Sequence, residues 1–170
     1  MKKNQIILTA GVITALASLI YSDWLVFDNV VNSSLPNLLI VCFGLLEIFA
    51  GLLFGMIMYR NKVNNGYAGF KELYKIGILI TLVVCSVTII HYVIFILAYP
   101  NFVNMNLENF QAIFVKKNFT PDQINSSMQM LKKVVTPVTI VIGTAINQMI
   151  RGSVCGLVAA AIAKKKPITN

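Results

Sequence analysis

The fold is decided by two stretches of 24 residues, PNLLIVCFGLLEIFAGLLFGMIMY (36–59) and IGILITLVVCSVTIIHYVIFILAY (76–99). The first contains a single charged residue, Glu47, and the second contains no Asp, Glu, Lys or Arg. About 20 apolar residues in a helix are enough to cross the hydrocarbon core of a bilayer. Because lipid offers the backbone no hydrogen-bond partners, a spanning segment must be helical. The two stretches therefore predict a hairpin of transmembrane helices.

The composition extends this prediction to the whole chain. Hydrophobic residues make up 57% of the 170 and charged residues 12%, with a mean hydropathy of +0.76, whereas soluble proteins carry about 25% charged residues. We expect an all-α membrane protein with a single domain over 1–170, because the length leaves no room for a second globular unit. Four transmembrane helices, with a small amphipathic helical lid between the third and fourth, are expected at 6–25, 36–59, 76–99, 134–163 and, for the lid, 100–133.

Basic residues are unevenly distributed between the two sides of the predicted spans. Nine Lys and Arg fall in the N-terminus, the turn 60–75 and the C-terminus taken together, and four fall in 100–133. The positive-inside rule then places both termini in the cytoplasm. The net charge of +8 is explained by flanking lysines that meet anionic lipid headgroups at the inner face, so nucleic acid is not expected as a partner.

The first span leaves an alternative open. Lys2 and Lys3 precede an uncharged run that continues to Ser22. A short positive head followed by an apolar run is also typical of a signal peptide, and the tripeptide Ala15–Ala17 would suit a cleavage site. We expect the uncleaved span, because the apolar run continues past this tripeptide.

The turn between the second and third spans combines aromatic and basic residues. Tyr67, Phe70 and Tyr74 are spaced to share one face of a helix, with lysines on the opposite face. This spacing predicts a short helix at the inner headgroups that anchors the third span, and a platform for a lipid or a partner is the alternative. The expected anchor comprises Arg60, Tyr67, Phe70, Lys71, Tyr74 and Lys75.

The segment before the fourth span carries a strong signal for the start of a helix. In Thr120-Pro121-Asp122-Gln123, the threonine can cap, the proline suits the first helical position, and the glutamine completes a capping box. An apolar stripe follows, and a second amphipathic piece precedes it. We expect a helical lid on the outer ends of the spans, with a binding site for a partner as the alternative. The apolar positions are Leu107, Phe110, Phe114, Ile124, Met128, Leu131 and Val135.

Small residues form ridges on two of the predicted spans. Gly51 and Gly55 lie four positions apart on the second span, and Gly152 and Gly156 lie four apart on the fourth. Such ridges let helix backbones approach closely in lipid. We expect them to pack the four helices together, and association of two copies of the chain is the alternative.

Five polar residues fall at membrane depth: Glu47, His91, Asn147, Gln148 and Arg151. Glu47 and Arg151 each lie 13 positions before the first basic residue past their spans, which is roughly 20 Å along a helix. Polar groups in lipid usually face the interior of a bundle in pairs. We therefore predict a buried cluster of Glu47, Arg151, His91 and Asn147. The alternative is a protonated Glu47 beside an Arg151 that bonds backbone carbonyls.

Motifs for catalysis and for metal binding do not occur in the sequence. Cys42, Cys85 and Cys155 fall in three different spans, so they are expected to be small buried residues. The single histidine excludes a His-Glu-x-x-His zinc site, and neither a Gly-x-Ser-x-Gly elbow nor a phosphate-binding glycine loop occurs. We expect no enzyme activity, no catalytic residues, no metal and no cofactor.

Several short motifs carry a resemblance across nearly the whole chain. They are Tyr59-Arg60, Gly66, Phe70-Lys71, Gly77, Tyr99-Pro100, the Thr-Pro-Asp-Gln start at 120–123 and the final lysines. The sequence resembles an uncharacterised family of four-helix bacterial membrane proteins, a domain of unknown function. The resemblance implies a bacterial inner-membrane protein with four spans, and it supplies no functional residues.

Two functions remain compatible with these observations. The first is a structural or interaction (accessory) protein, whose polar cluster fixes the helices and whose lid or inner turn meets a protein partner. The second is a small proton-coupled or solute transporter that uses Glu47, His91 and Arg151 along a pathway. The small size and the lack of an internal repeat favour the first hypothesis over the second.

Overall fold

A computed structural model describes residues 2–27 and 37–165, so Pro36 and Lys166 of the predicted segments lie outside it. Six α-helices form within the described residues, and four of them are long and apolar enough to cross a membrane. The prediction of an all-α fold with four spans, and with two shorter helices between the third and fourth, is confirmed. The helices are α1 Lys3–Phe27, α2 Asn37–Lys62, α3 Phe70–Ala98, α4 Phe102–Lys116, α5 Pro121–Val134 and α6 Pro137–Ala163.

The turn between α2 and α3 differs from the predicted interfacial helix. α3 is continuous from Phe70, and Tyr67 lies before its start, so the three aromatic residues do not share one helix. Asn65 and Gly66, in the turn after α2 has ended at Lys62, adopt positive φ angles of 51° and 86°, and that conformation keeps the chain from resuming a right-handed helix there. Ala68 then pairs with Lys165 as an isolated antiparallel bridge.

The fourth span begins at Pro137 and not at 134 as predicted, because a break at 135–136 separates it from α5. α5 ends at Val134, and a second capping box starts α6, in which Thr136 Oγ1 accepts from the Thr139 backbone N–H. The Thr139 hydroxyl oxygen accepts from the Thr136 N–H in return, at 2.8 Å. With Pro137 at the first helical position, the chain leaves the lid and begins a new span of 27 residues.

The four long helices pack as a bundle. α1 and α6 each contact both α2 and α3, while α2 and α3 also contact each other across the middle. α1 runs antiparallel to α2, because Ala10 lies against Gly55 and Thr14 lies against Gly51. The largest fully buried apolar side chains are Ile6, Leu52, Met56, Leu73, Ile76 and Ile80.

We call the end of the bundle that holds the start of α1, the α2–α3 turn and the end of α6 the basic end. At the opposite end, α4 and α5 form a helical hairpin and pack chiefly on one another. Phe102 at its base is 3% exposed and contacts the rings of Tyr92 and Phe95 on α3. Phe114 and Phe119 stack at the tip with ring centres 5.2 Å apart. We refer to α4, α5 and their connection as the hairpin.

Candidate functional site: charged pairs inside the bundle

Glu47 on α2 and Arg151 on α6 form a charged pair inside the bundle. The Arg151 Nη2 atom lies 3.7 Å from Glu47 Oε1, and the two side chains are 23% and 14% exposed respectively. Ser18 on α1 donates its hydroxyl to the same carboxylate oxygen at 2.9 Å and is 1% exposed. One carboxylate therefore connects three of the four long helices.

Arg151 has a second acceptor on α2, the backbone carbonyl of Gly44, to which Nη2 donates. Gly44 leaves the space for this approach, because a Cβ at that position would lie 2.8 Å from Nη2 and 2.9 Å from Cε1 of Tyr21. The arrangement combines the two outcomes that the sequence left open, an acidic partner and a backbone carbonyl. Sequence reasoning missed Gly44, although it lies seven positions before Gly51 and so continues the same glycine ridge.

Two further oxygen atoms near the middle of the spans are buried. Glu47 Oε2 and Gln148 Oε1 have no hydrogen-bond partner among the residues that the structure describes. Gln148 is 5% exposed and lies on the same buried face of α6 as Gly152. An unpaired buried oxygen costs about 1–3 kcal/mol, so each atom is a point at which a proton or a ligand donor would stabilise the interior.

His91 takes a different partner from the one predicted. Its Nε2 atom lies 3.3 Å from Oδ1 of Asp23 on α1, with the two side chains 26% and 36% exposed. The ring also contacts Tyr92 and Phe95. The sequence prediction counted depth along each helix but not direction around it, so it missed Asp23, which ends the apolar part of the first span.

Asn147 does not belong to a buried cluster, and its predicted place there is wrong. The residue is exposed, whereas the next residue, Gln148, is buried. Successive residues turn by about 100° around a helix. Because the buried face of α6 contains Gln148 and Gly152, Asn147 points toward the outer surface at nearly the same depth.

The glycine ridges face other helices of the same bundle. A Cβ at Gly55 would lie 2.8 Å from the Ala10 Cβ, and a Cβ at Gly152 would lie 2.9 Å from the Thr81 Cβ. Gly51 meets the Thr14 side chain in the same way. At Gly77, a Cβ would lie 3.8 Å from the Cα of Gly156. In the structure, the glycine ridges therefore pack helices of the same chain against one another.

The basic end is joined by contacts that the sequence did not predict. Glu72 accepts hydrogen bonds from the Tyr59 hydroxyl at 2.7 Å and from Asn64 Nδ2 at 2.6 Å. Arg60 Nη1 donates to the carbonyl of Ala163 at the end of α6, at 2.7 Å. These contacts tie the α2–α3 turn both to α3 and to the C-terminal end of α6.

The expected anchor residues are distributed around this turn. Phe70 and Tyr74 lie parallel with ring centres 6.2 Å apart, and Lys165 Nζ lies 5.6 Å from the centre of the Tyr67 ring. Lys71 and Lys75 are exposed. The aromatic rings and the lysines therefore occupy the level of the basic end, although only those from Phe70 onward share a helix.

The three cysteines are free thiols. Cys85 and Cys155 are buried, and each Sγ lies 3.7 Å from a backbone carbonyl of a neighbouring helix. Cys42 is exposed on the outer surface of α2, so its expected burial is wrong. In a helix that faces lipid on one side, an apolar sequence pattern does not distinguish the lipid-facing positions from the packed ones.

Four apolar helices of spanning length, packed around a half-buried charged pair, define a multi-pass membrane protein. More particularly, the chain belongs to the family described as "Protein of unknown function (DUF4199)", whose match covers residues 7–165. Neither a curated protein nor a solved structure matches the chain. The family match bears out the resemblance to a domain of unknown function, and it assigns no functional residue.

Proposed function

We propose that this protein is an accessory protein of the bacterial inner membrane that holds a partner protein through the hairpin. In this proposal the four long helices are a scaffold, fixed by the Glu47–Arg151 pair and by the glycine ridges. The hairpin is the part that meets the partner. The proposal rests on the contrast between a closely packed bundle and an ordered but uncovered hairpin.

The observation that carries the proposal is the exposure of α5. Its start is held by a full capping box, since Thr120 accepts from the Gln123 N–H and Gln123 accepts from the Thr120 N–H. Nevertheless, none of the 14 residues of α5, all of which are described, is buried. Met130 is 70% exposed, and the stripe from Ile124 to Leu131 is half-buried. An ordered helix with no buried residue and an apolar stripe that is only half-buried suits a surface that docks another protein.

The charges of the hairpin indicate the chemistry of the partner. The hairpin carries more basic than acidic residues. Its basic residues are Lys116 and Lys117, between α4 and α5, and Lys132 and Lys133, near the end of α5; its acidic residues are Glu108 and Asp122. A partner with an apolar helix or groove bordered by acidic residues would complement this surface. Because the hairpin joins α3 to α6 outside the spans, the partner would have an extramembrane part on the same side.

The orientation and the retained first span are part of the same proposal. With nine basic residues in the N-terminus, the turn 60–75 and the C-terminus of the sequence, and four in 100–133, the positive-inside rule favours both termini in the cytoplasm. Retention of α1 is supported by its packing, since Thr14 and Ser18 are buried against α2. Cleavage after Ala17 would remove Ala10 and Thr14 from that interface.

Co-purification in mild detergent tests this function. The parent and a double variant, Lys132→Gln with Lys133→Gln, are compared with a matched control, Lys62→Gln with Lys71→Gln, which loses the same charge at the basic end. We expect one stoichiometric partner with the parent and the control, and loss of most of it from the hairpin variant. A protein that purifies alone, or a partner retained equally by all three, would contradict the proposal.

A membrane surface is the other surface that an amphipathic hairpin could cover. A fluorophore attached through Met130→Cys distinguishes the two, because a quencher carried on lipid acyl chains reaches a side chain in the interface. The proposal requires a fluorophore that the lipid quencher does not affect and that the purified partner protects. Strong quenching by the lipid would assign the hairpin to the bilayer instead.

A second candidate function is a small proton-coupled or solute transporter. The observation in its favour is that Glu47 Oε2 and Gln148 Oε1 are buried without partners among the described residues, while Ser18 on α1 donates to the other oxygen of the Glu47 carboxylate. Proteoliposomes with a trapped pH dye test it. Proton flux that Glu47→Gln abolishes would support transport, and proton flux no faster than in empty vesicles would exclude a proton-coupled transporter.

A further inference from the structure

An apolar groove of about 630 Å³ opens between α1 and α3 on the outer surface of the bundle. Its floor lies where the two helices approach at Gly11, since a Cβ there would lie 2.6 Å from the Val83 Cβ. Ser86 lines the groove, and its hydroxyl donates to the Leu82 carbonyl at 2.9 Å. This hydroxyl therefore needs no water in the groove as a hydrogen-bond acceptor. The walls include Leu8, Val12, Leu79, Leu82, Ser86 and Ile90.

The length of this groove matches one leaflet of a bilayer. On α1 the lining runs from Asn4 to Val12, and on α3 it runs from Leu79 to Ile90. These eight and eleven positions rise about 12 Å and about 16 Å along a helix. Half of a hydrocarbon core of about 30 Å is about 15 Å. The groove therefore has the length of a lipid acyl chain in the leaflet at the basic end.

Positive charge lies at the basic end of the groove and not along it. Lys75 precedes Leu79 by four positions and so heads the same stripe of α3 that forms the wall. On α1, Lys3 adjoins Asn4, which lines the groove, and Lys3, Asn4 and Lys75 are all exposed.

The two lysines lie at the same level of the bundle. Gly11 contacts Val83 where α1 and α3 approach. Asn4 lies seven positions before Gly11 on α1, and Ile76 lies seven positions before Val83 on α3. Lys3 adjoins Asn4, and Lys75 adjoins Ile76. Both helices rise by the same amount for each residue, so Lys3 and Lys75 both lie at the level of the basic end of the groove.

We infer that the groove binds an anionic phospholipid, with one acyl chain between α1 and α3 and the phosphate held by Lys3, Asn4 and Lys75. The apolar length accounts for the chain, and the paired lysines account for the charge. A second groove, of about 300 Å³ between α3 and α6 toward the hairpin, lacks this combination, because the described residues that line it, such as Leu97 and Val138, are all apolar. The site would therefore select both the leaflet and the headgroup.

Native mass spectrometry of the detergent-purified protein tests this site with two probes, dioleoyl phosphatidylglycerol and dioleoyl phosphatidylcholine. The parent should retain one phosphatidylglycerol at concentrations where it retains no phosphatidylcholine. Each lysine near an anionic surface contributes about a factor of five. The variant Lys3→Gln with Lys75→Gln should thus bind phosphatidylglycerol about thirtyfold more weakly, whereas Lys132→Gln with Lys133→Gln should bind it like the parent.

A second substitution tests the acyl-chain part of the site without changing its charge. Ser86→Phe places a ring in the groove and should release the lipid, while Ala50→Phe places one on an exposed position of α2 and should not. Equal binding of both lipids would overturn the inference. The inference would also be overturned if the Ser86→Phe variant and the double-lysine variant both retained phosphatidylglycerol like the parent. Competition by inorganic phosphate alone would mean that a free anion, rather than a lipid, occupies the lysines.

Discussion

At the basic end, hydrogen bonds include one between residues that are far apart in the chain, whereas the side-chain hydrogen bonds of the hairpin join residues three or four positions apart. Arg60 and Ala163, which are 103 positions apart, share a hydrogen bond at the basic end. In the hairpin, Thr120 and Gln123 cap the same turn of helix, and Phe114 stacks on Phe119 five positions later. The first end depends on the assembled bundle, and the second can order itself locally.

This difference separates two roles within one membrane protein. A region held by distant contacts loses its structure when the bundle opens, so the basic end belongs to the scaffold. A region held by local caps keeps its helices when its contacts with the bundle are few. Docking of a partner on the hairpin would therefore leave the spans folded, as the accessory function that we propose requires.

The largest expected effect comes from the charged pair between the two ends. Arg151→Gln and Glu47→Gln should each lower the free energy of unfolding in detergent by about 3–5 kcal/mol, because each leaves a buried charge without its partner. The effect of Arg151→Gln should be the larger, since that change also removes the donor to Gly44. Thermal unfolding measures both changes.

Exchange of the two charges provides the control for this prediction. Glu47→Arg combined with Arg151→Glu should restore part of the stability that the single variants lose. The protection of the backbone amides of the hairpin from hydrogen exchange should stay the same in all of these variants. Single variants that melt like the parent would mean that the pair does not hold the bundle, and transport would lose its candidate site as well.

A smaller effect is expected from the acidic residue at the basic end. Glu72→Ala should cost about 2 kcal/mol, because it leaves the hydroxyl of Tyr59, a residue only 5% exposed, without an acceptor. The matched control is Glu108→Ala on the exposed surface of α4, which should change the melting temperature little. Equal effects of the two substitutions would remove the contrast between the two ends.

The smallest effect is expected within the hairpin. Thr120→Ala should cost about 1 kcal/mol of local helix stability, because the Gln123 N–H loses its acceptor. Amide exchange should accelerate over 122–130 but not in α2 or α3. Ser126→Ala in the same helix, where the hydroxyl only donates to the Gln123 carbonyl, is the control. Faster exchange throughout the bundle would mean that the hairpin is not independent of it.

The same difference explains which features could be predicted from the sequence. The spans follow from runs of apolar residues, and the start of α5 follows from four adjacent residues, so both are local signals. Thr136 and Thr139 carried a similar local signal that was missed, because the apolar run around them indicated a continuous span. The bridge between Ala68 and Lys165 leaves no local signal.

Depth in the membrane could be counted from the sequence, but direction around each helix could not. Counting positions along the helices predicted the same depth for Glu47 and Arg151, and in the structure Glu47 Oε1 lies 3.7 Å from Arg151 Nη2. It brought Asn147 to a similar level, yet this residue lies about 100° away from the buried Gln148. An apolar surface faces both lipid and other helices, so hydrophobicity did not separate the two faces. The partners of polar residues therefore required the packed bundle.

Cysteine labelling in intact cells tests most directly the claim that the two ends lie on opposite sides of one membrane, with the hairpin outside the cell, as we propose. In a background with Cys42→Ala, Cys85→Ala and Cys155→Ala, single cysteines are introduced by Gln111→Cys in the hairpin and by Asn64→Cys at the basic end. An impermeant thiol reagent added outside should label the hairpin position, and it should label the other position only after the membrane is opened. Labelling of both positions, or only of the one at the basic end, in intact cells would contradict the account.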